Sequence, residues 1–122
     1  MNFSRTEYSA LYDLYTYTGG DEWTWQAIGG KPWNFSTYQD PCVEEWQGLN
    51  CTIDLAQNVT RIRQLLLPTY NLVGSLPESL GDFPLMQNLL LKNNSLTGTV
   101  PSSVCNLTSL LVLNMNRNKL SQ

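Results

Sequence analysis

Leu65-Leu66-Leu67-Pro68-Thr69-Tyr70-Asn71-Leu72-Val73-Gly74-Ser75-Leu76-Pro77 is answered, twenty-four residues later, by Leu89-Leu90-Leu91-Lys92-Asn93-Asn94-Ser95-Leu96-Thr97-Gly98-Thr99-Val100-Pro101. The correspondence extends outward in both directions. Ile62 recurs as Met86, Leu80 as Val104 and Phe83 as Leu107, and a third copy opens with Leu110, Leu113, Met115, Asn118 and Leu120. A fixed period of this length marks a solenoid, in which each unit buries its apolar edge only against its neighbours. Such folds present surface; few carry out chemistry.

The flanking sequence predicts a different structure. Ser4-Arg5-Thr6-Glu7 has the form of a capping box, in which the serine oxygen takes an early helical amide and the glutamate reaches back to the serine amide. Tyr8, Leu11, Leu14, Tyr15 and Thr18 follow at helical spacing, and Gly19-Gly20 supplies a stop, so a helix is expected over residues 5–17. From Asp21 to Asn50 the chain is irregular, with Trp23, Trp25, Trp33, Phe35, Tyr38 and Trp46 among turn-forming residues. These rings are read as filling between helix and first repeat rather than as a sugar-stacking platform, because aromatics dominate burial in small cores.

Composition narrows the function. The net charge is −3 with only seven basic residues, which provides no basic footprint for nucleic acid or an anionic membrane. No apolar run approaches a membrane span, and Met1–Leu14 has no signal-peptide character. Six of the twelve asparagines nevertheless stand in Asn-x-Ser/Thr acceptors: Asn2, Asn34, Asn50, Asn58, Asn93 and Asn106. That density implies the secretory pathway, and the chain reads as an extracellular segment whose signal has been removed. Cys42 and Cys51 then form a disulfide closing a short loop, worth about 2.5–3 kcal/mol by loop entropy. Cys105 is left over and is expected as a small buried thiol, with an intermolecular bond as the alternative.

Catalysis finds no support. There is no histidine, and the pairs Glu44-Glu45 and Asp21-Glu22 point apart in extended chain. Asp54 and Asp82 read as loop or turn residues. No cofactor, metal or enzymatic activity is expected.

The motif Pro41-Cys42-x-x-x-Trp46-x-Gly48-x-x-Cys51, preceded by Leu11-Tyr12, Thr18-Gly19-Gly20 and Trp23, resembles the N-terminal cap of extracellular leucine-rich repeat proteins of the plant-type subclass. Leu72-Val73-Gly74-Ser75-Leu76-Pro77 and its copy resemble that subclass's L-x-G-x-(I/L/V)-P signature. The resemblance implies an α/β solenoid, with short parallel strands on a concave face and a disulfide-closed helical cap. It divides the chain into a cap over 1–58 and repeats over 59–122, two full and one partial.

In that architecture Leu65, Leu67, Leu89, Leu91, Leu113 and Met115 turn inward. Asn94 and Asn118 satisfy turn backbone groups, a role for which the first repeat carries Tyr70 and must draw on the cap. The outward columns are Arg63, Gln87 and Leu111; Gln64, Asn88 and Val112; Leu66, Leu90 and Asn114; Pro68, Lys92 and Asn116; Thr69, Asn93 and Arg117. The apolar members of this face suggest a contact site for a protein, peptide or glycan ligand. A sugar on Asn93 would hinder a large partner there. The second end of the stack has no cap in the sequence, so the expectation is either a longer array or a partner chain covering the edge. In the second case, end-to-end stacking would make a homo-oligomeric, glycan-coated filament. By analogy alone, the family also implies inhibition of secreted polysaccharide-degrading enzymes.

Overall fold

The computed structural model describes residues 1–27 and 29–121. Strand β1 (Asn2–Phe3) leads into helix α1 (Arg5–Tyr17), whose bounds match the sequence expectation. Ala10, Leu11 and Leu14 are buried along one side of α1, and Tyr8 and Tyr15 pack half-buried beside them. The helix ends where the Thr18 hydroxyl and amide both bond the Leu14 carbonyl, followed by Gly19 in the left-handed region at φ 69°.

The capping box forms only in part. Ser4 Oγ accepts from the Glu7 amide at 3.4 Å, as expected. Glu7 does not reach back, because the Ser4 amide is already bonded to the Thr60 carbonyl through the pairing of β1. Its carboxylate instead crosses to the first repeat.

Strands β2 (Leu49–Asp54) and β3 (Val59–Leu66) form an antiparallel hairpin, with β1 pairing in parallel to the start of β3. From β3 the front sheet continues in parallel through β5 (Asn88–Leu90) to β7 (Val112–Asn114). The register pairs Leu65 with Leu89 and Leu89 with Leu113, which is the sequence period realised as a ladder. Ile62 and Leu65 both point inward although three residues apart, which flat alternation forbids. The pairing shifts between Asn50 and Cys51, so that β2 opposes Gln64 and Ile62 and passes over Arg63. This bulge restores the inward aim.

A second, two-stranded sheet joins β4 (Val73–Ser75) and β6 (Ser95–Thr97) on the back of the coils. Its register pairs Gly74 with Leu96, two residues short of the sequence period, so successive coils are skewed between front and back. Pro77 and Pro101 each precede a 3-10 turn, over Glu78–Gly81 and Ser102–Asn106. The first of these turns buries Leu80, with Phe83 just beyond it.

One continuous core runs from Phe3 and the helix through Trp23, Trp33 and Trp46 to Ile62, Leu65, Leu67, Met86, Leu89, Leu91 and Leu96. The tryptophans are interior filling: Trp33 stacks on Trp46 at 5.8 Å, and Trp23 meets Trp33 edge-on at 5.0 Å. Two expected core positions differ. Leu113 faces inward but is 47 % exposed, since the third coil has no coil packed beyond it among the described residues. Cys105 is not a buried thiol; it is exposed. In the three-residue pitch of the Ser102–Asn106 turn, Val104 takes the inward position and its neighbour is carried outward.

Candidate functional site

Three interactions hold the front face in shape. The first is the junction between cap and repeats. The Glu7 carboxylate, fully buried, accepts the Ile62 amide at 2.8 Å and one guanidinium nitrogen of Arg61 at 2.8 Å. Arg61 turns its Nε to Asp54 at 2.7 Å. Asp54, expected in a loop or turn, is thus the last residue of β2 and one end of an ion-pair chain. Burial pushes the Glu7 carboxyl above its ordinary range, against the Ile62 and Arg61 hydrogen bonds that pull it down. Asp54 is held below the usual carboxylate range chiefly by its bond from Arg61.

The second is the asparagine ladder. Asn94 Oδ1 accepts from the amides of Tyr70 and Leu72, both at 3.0 Å, while its Nδ2 donates to the carbonyls of Leu67 and Leu91 at 2.9 Å. Asn118 repeats the arrangement, accepting from Leu96 and donating to Leu91 and Met115. In the first repeat Tyr70 is buried, and its hydroxyl donates to Gln47 Oε1 at 2.9 Å. Gln47 supplies the missing amide from the cap, donating to the carbonyls of Gln26 and Gly30. Sequence reasoning expected a substitute from the cap without identifying Gln47. A lone glutamine carries no signal until the fold brings it under Tyr70.

The third is the Cys42–Cys51 disulfide, which ties the loop after the tryptophan segment to the edge strand β2.

On this frame the expected columns align. Gln64, Asn88 and Val112 are consecutive ladder partners, as are Leu66, Leu90 and Asn114. Arg63, Gln87 and Leu111 are joined by amide-to-carbonyl bonds of 2.7 Å, and Arg63 Nε also donates to Gln87 Oε1 at 2.9 Å. Asn50 extends the middle row onto β2, donating from Nδ2 to Gln64 Oε1 at 2.7 Å. The row was legible for the three repeats but not for Asn50, because only the hairpin places it there. Lys92 and Asn116 follow the strands. Thr69, Asn93 and Arg117 lie beyond the strands and share a left-handed backbone, with φ of 59°, 58° and 58°, so they form the rim of the face rather than its floor. Leu66 and Leu90 are half-buried in their shared row, whereas Leu111 is 76 % exposed.

All six acceptor asparagines, Asn2, Asn34, Asn50, Asn58, Asn93 and Asn106, are exposed. Among the described residues no cluster of three or more histidine, cysteine, aspartate or glutamate side chains is arranged to hold a metal ion. No helix among them is long and apolar enough to cross a membrane.

A cysteine-paired helical cap followed by stacked coils with a parallel front sheet defines a leucine-rich repeat solenoid. The chain is a leucine-rich repeat protein of the plant-type subclass, and its relatives and structural neighbours agree. It is 33 % identical over 97 residues to Protein STRUBBELIG of Arabidopsis thaliana, covering 79 % of this chain and 11 % of that protein. It is 38 % identical over 89 residues to the Arabidopsis thaliana leucine-rich repeat receptor-like protein kinase PXC2, covering 73 % and 8 %. The chain thus spans about a tenth of the length of these curated relatives. Among solved structures, the SOBIR1 ectodomain from Arabidopsis thaliana superposes with a TM-score of 0.73 at 20 % identity, covering 98 % of this chain and 58 % of that one. The BIR2 ectodomain from the same plant gives 0.71 at 25 %, with the same coverage. The Arabidopsis thaliana BIR3–SERK2 complex gives 0.66 at 27 %, covering 93 % of this chain and 57 % of the matched chain. No protein-family model matches the chain.

Proposed function

We propose that the chain is a non-enzymatic extracellular recognition module, within a longer receptor-like or secreted protein, that binds an extended segment of a protein or peptide along its concave front face. Residues 1–58 act as the cap and residues 59–122 as the reading surface. The observation that carries this is the composition of the aligned columns. They contain Arg63, Lys92 and Arg117 and no carboxylate, which leaves four basic residues against ten acidic ones elsewhere in the chain. An amide row of Asn50, Gln64 and Asn88 runs beside the half-buried Leu66 and Leu90. Amides aligned across parallel strands can pair with the backbone of an extended peptide, the leucines with its apolar side chains, and the cations with its acidic ones. The BIR3–SERK2 complex supports recognition of another protein by a related fold.

The test is a peptide display library, acidic and apolar in bias, screened on the secreted protein. Leu66→Asp should leave folding intact and weaken the selected peptides at least about tenfold, a loss of about 1.4 kcal/mol. The affinity should also fall with added salt. Unchanged binding by Leu66→Asp would remove the front face from consideration.

A second reading, end-to-end stacking into a glycosylated filament, rests on the inward but half-exposed Leu113 of the third coil. Light scattering on the secreted protein separates the two, since a filament scatters far above a monomer. The length of the relatives favours the first reading, because further coils would cover that same side chain.

A further inference from the structure

A groove lies away from the front face, at the start of the cap. It measures about 480 Å³ and is lined by Asn2, Phe3, Arg5, Tyr8, Ser9 and Tyr38. That volume falls within the roughly 300–1,000 Å³ of clefts that hold small organic groups.

Local geometry explains how these residues meet. In β1, Phe3 is buried, so strand alternation turns its neighbour Asn2 outward. Arg5, Tyr8 and Ser9 stand at i, i+3 and i+4 on the first turns of α1 and therefore share one face. Tyr38 arrives from the tryptophan-rich segment and leans on Tyr8, with ring centroids 4.8 Å apart at 46°. Tyr38 is nevertheless 61 % exposed. The floor is aromatic and the rim carries a hydroxyl, an amide and a guanidinium. Those are the two kinds of contact a pyranose needs: a ring face for its C–H groups and donors or acceptors for its hydroxyls.

One lining residue is itself a glycan acceptor, Asn2 of Asn2-Phe3-Ser4. We propose that the N-linked glycan on Asn2 folds back into this groove, its first sugars stacking on Tyr38 and Tyr8 and hydrogen-bonding toward Arg5 and Ser9. The inference rests on the extracellular reading above. A sugar joined to Asn2 is tethered at the groove's edge, so docking needs no free ligand and loses little translational freedom. Asn50 differs, since it directs its Nδ2 to Gln64. The docked glycan shields the otherwise exposed Tyr38 and braces β1 against α1.

The test uses the full chain secreted from a eukaryotic host, with glycopeptide mass spectrometry reporting occupancy at each acceptor. With Asn2 occupied, Asn2→Gln should lower Tm by about 2–5 °C. In a Tyr38→Ala background the same substitution should change Tm by less than half as much. Unglycosylated protein from bacteria should show no such coupling. The N-acetyl methyl signal of the first sugar should move upfield in the NMR spectrum of the glycoprotein from ring currents, and this readout does not depend on any variant folding. Equal losses in both backgrounds, or an unshifted methyl signal with Asn2 occupied, would overturn the docking. An empty Asn2 beside occupied acceptors elsewhere would overturn it while leaving the extracellular reading standing. Acceptors empty throughout would overturn it as well.

Discussion

Glu7 shows how one residue can be recognised for its type and misjudged in its role. Its position three residues after Ser4 announces a helix start, and the helix does start there. The carboxylate is nonetheless used fifty-four residues away, on Arg61, because β1 has already satisfied the amide it was expected to cap. The consequence is a pH dependence with a definite sign. A carboxyl whose pKa is higher folded than unfolded binds more protons in the native state, so stability falls as pH rises from the ordinary glutamate value, 4.5, through the folded one. Glu7→Gln keeps an acceptor for the Ile62 amide and removes the titration. The difference in unfolding free energy between wild type and variant should therefore decline across that window and then level off, as urea melts at stepped pH would record. Asp54, with its pKa lowered, acts in the opposite direction: its contribution is present above the ordinary aspartate value, 3.8, and is lost as pH falls through the folded one. A rising difference in the Glu7 window would show that the Arg61 pairing outweighs burial.

The coil is the unit at the next scale, and its strands are only three residues long from β4 onward. Such strands cannot hold a turn in place alone, and the turn backbone between front and back sheets would be unpaired without Asn94. Asn94→Ala strands the amides of Tyr70 and Leu72 and the carbonyl of Leu67, whereas the Leu91 carbonyl keeps its bond from Asn118. At about 1–3 kcal/mol for each buried group left without a partner, reduced by local relaxation and water entry, the expected cost is about 3 kcal/mol in urea unfolding. A loss below about 1 kcal/mol would mean that water replaces the amide freely. The asparagines were legible because they recur at the period, whereas the bulge at Arg63 was not. A spacing of three between Ile62 and Leu65 is visible in the sequence, but its resolution depends on β2 lying opposite, and nothing in Leu49–Asp54 announces an antiparallel partner.

At the scale of the whole molecule, the cap and the repeats share one sheet and one core, since β3 pairs along one edge with β2 and along the other with β1 at its start and β5 at its end. The back of the coils is joined to the cap as well: the Val73 amide bonds the Thr18 carbonyl, and a side chain in place of Gly74 (φ 136°) would strike the Tyr17 carbonyl. Loosening the cap should therefore loosen the first repeat with it. Reducing Cys42–Cys51 is expected to cost about 2.5–3 kcal/mol and to lower Tm in a single transition. Calorimetry showing two transitions, or an unchanged Tm, would mean that the loop is held by its tryptophans without the bond.

The period, the inward leucines, the helix over 5–17 and the paired cysteines were determined by sequence alone, because each depends on residues close together or on a repeat that stacks whatever surrounds it. The partner of Glu7, the amide beneath Tyr70, the exposure of Cys105 and the groove beside Asn2 were decided only by tertiary structure. Each of these joins segments from different parts of the chain, or turns on the rotation of a single side chain, and neither leaves a periodic trace for local spacing to reveal.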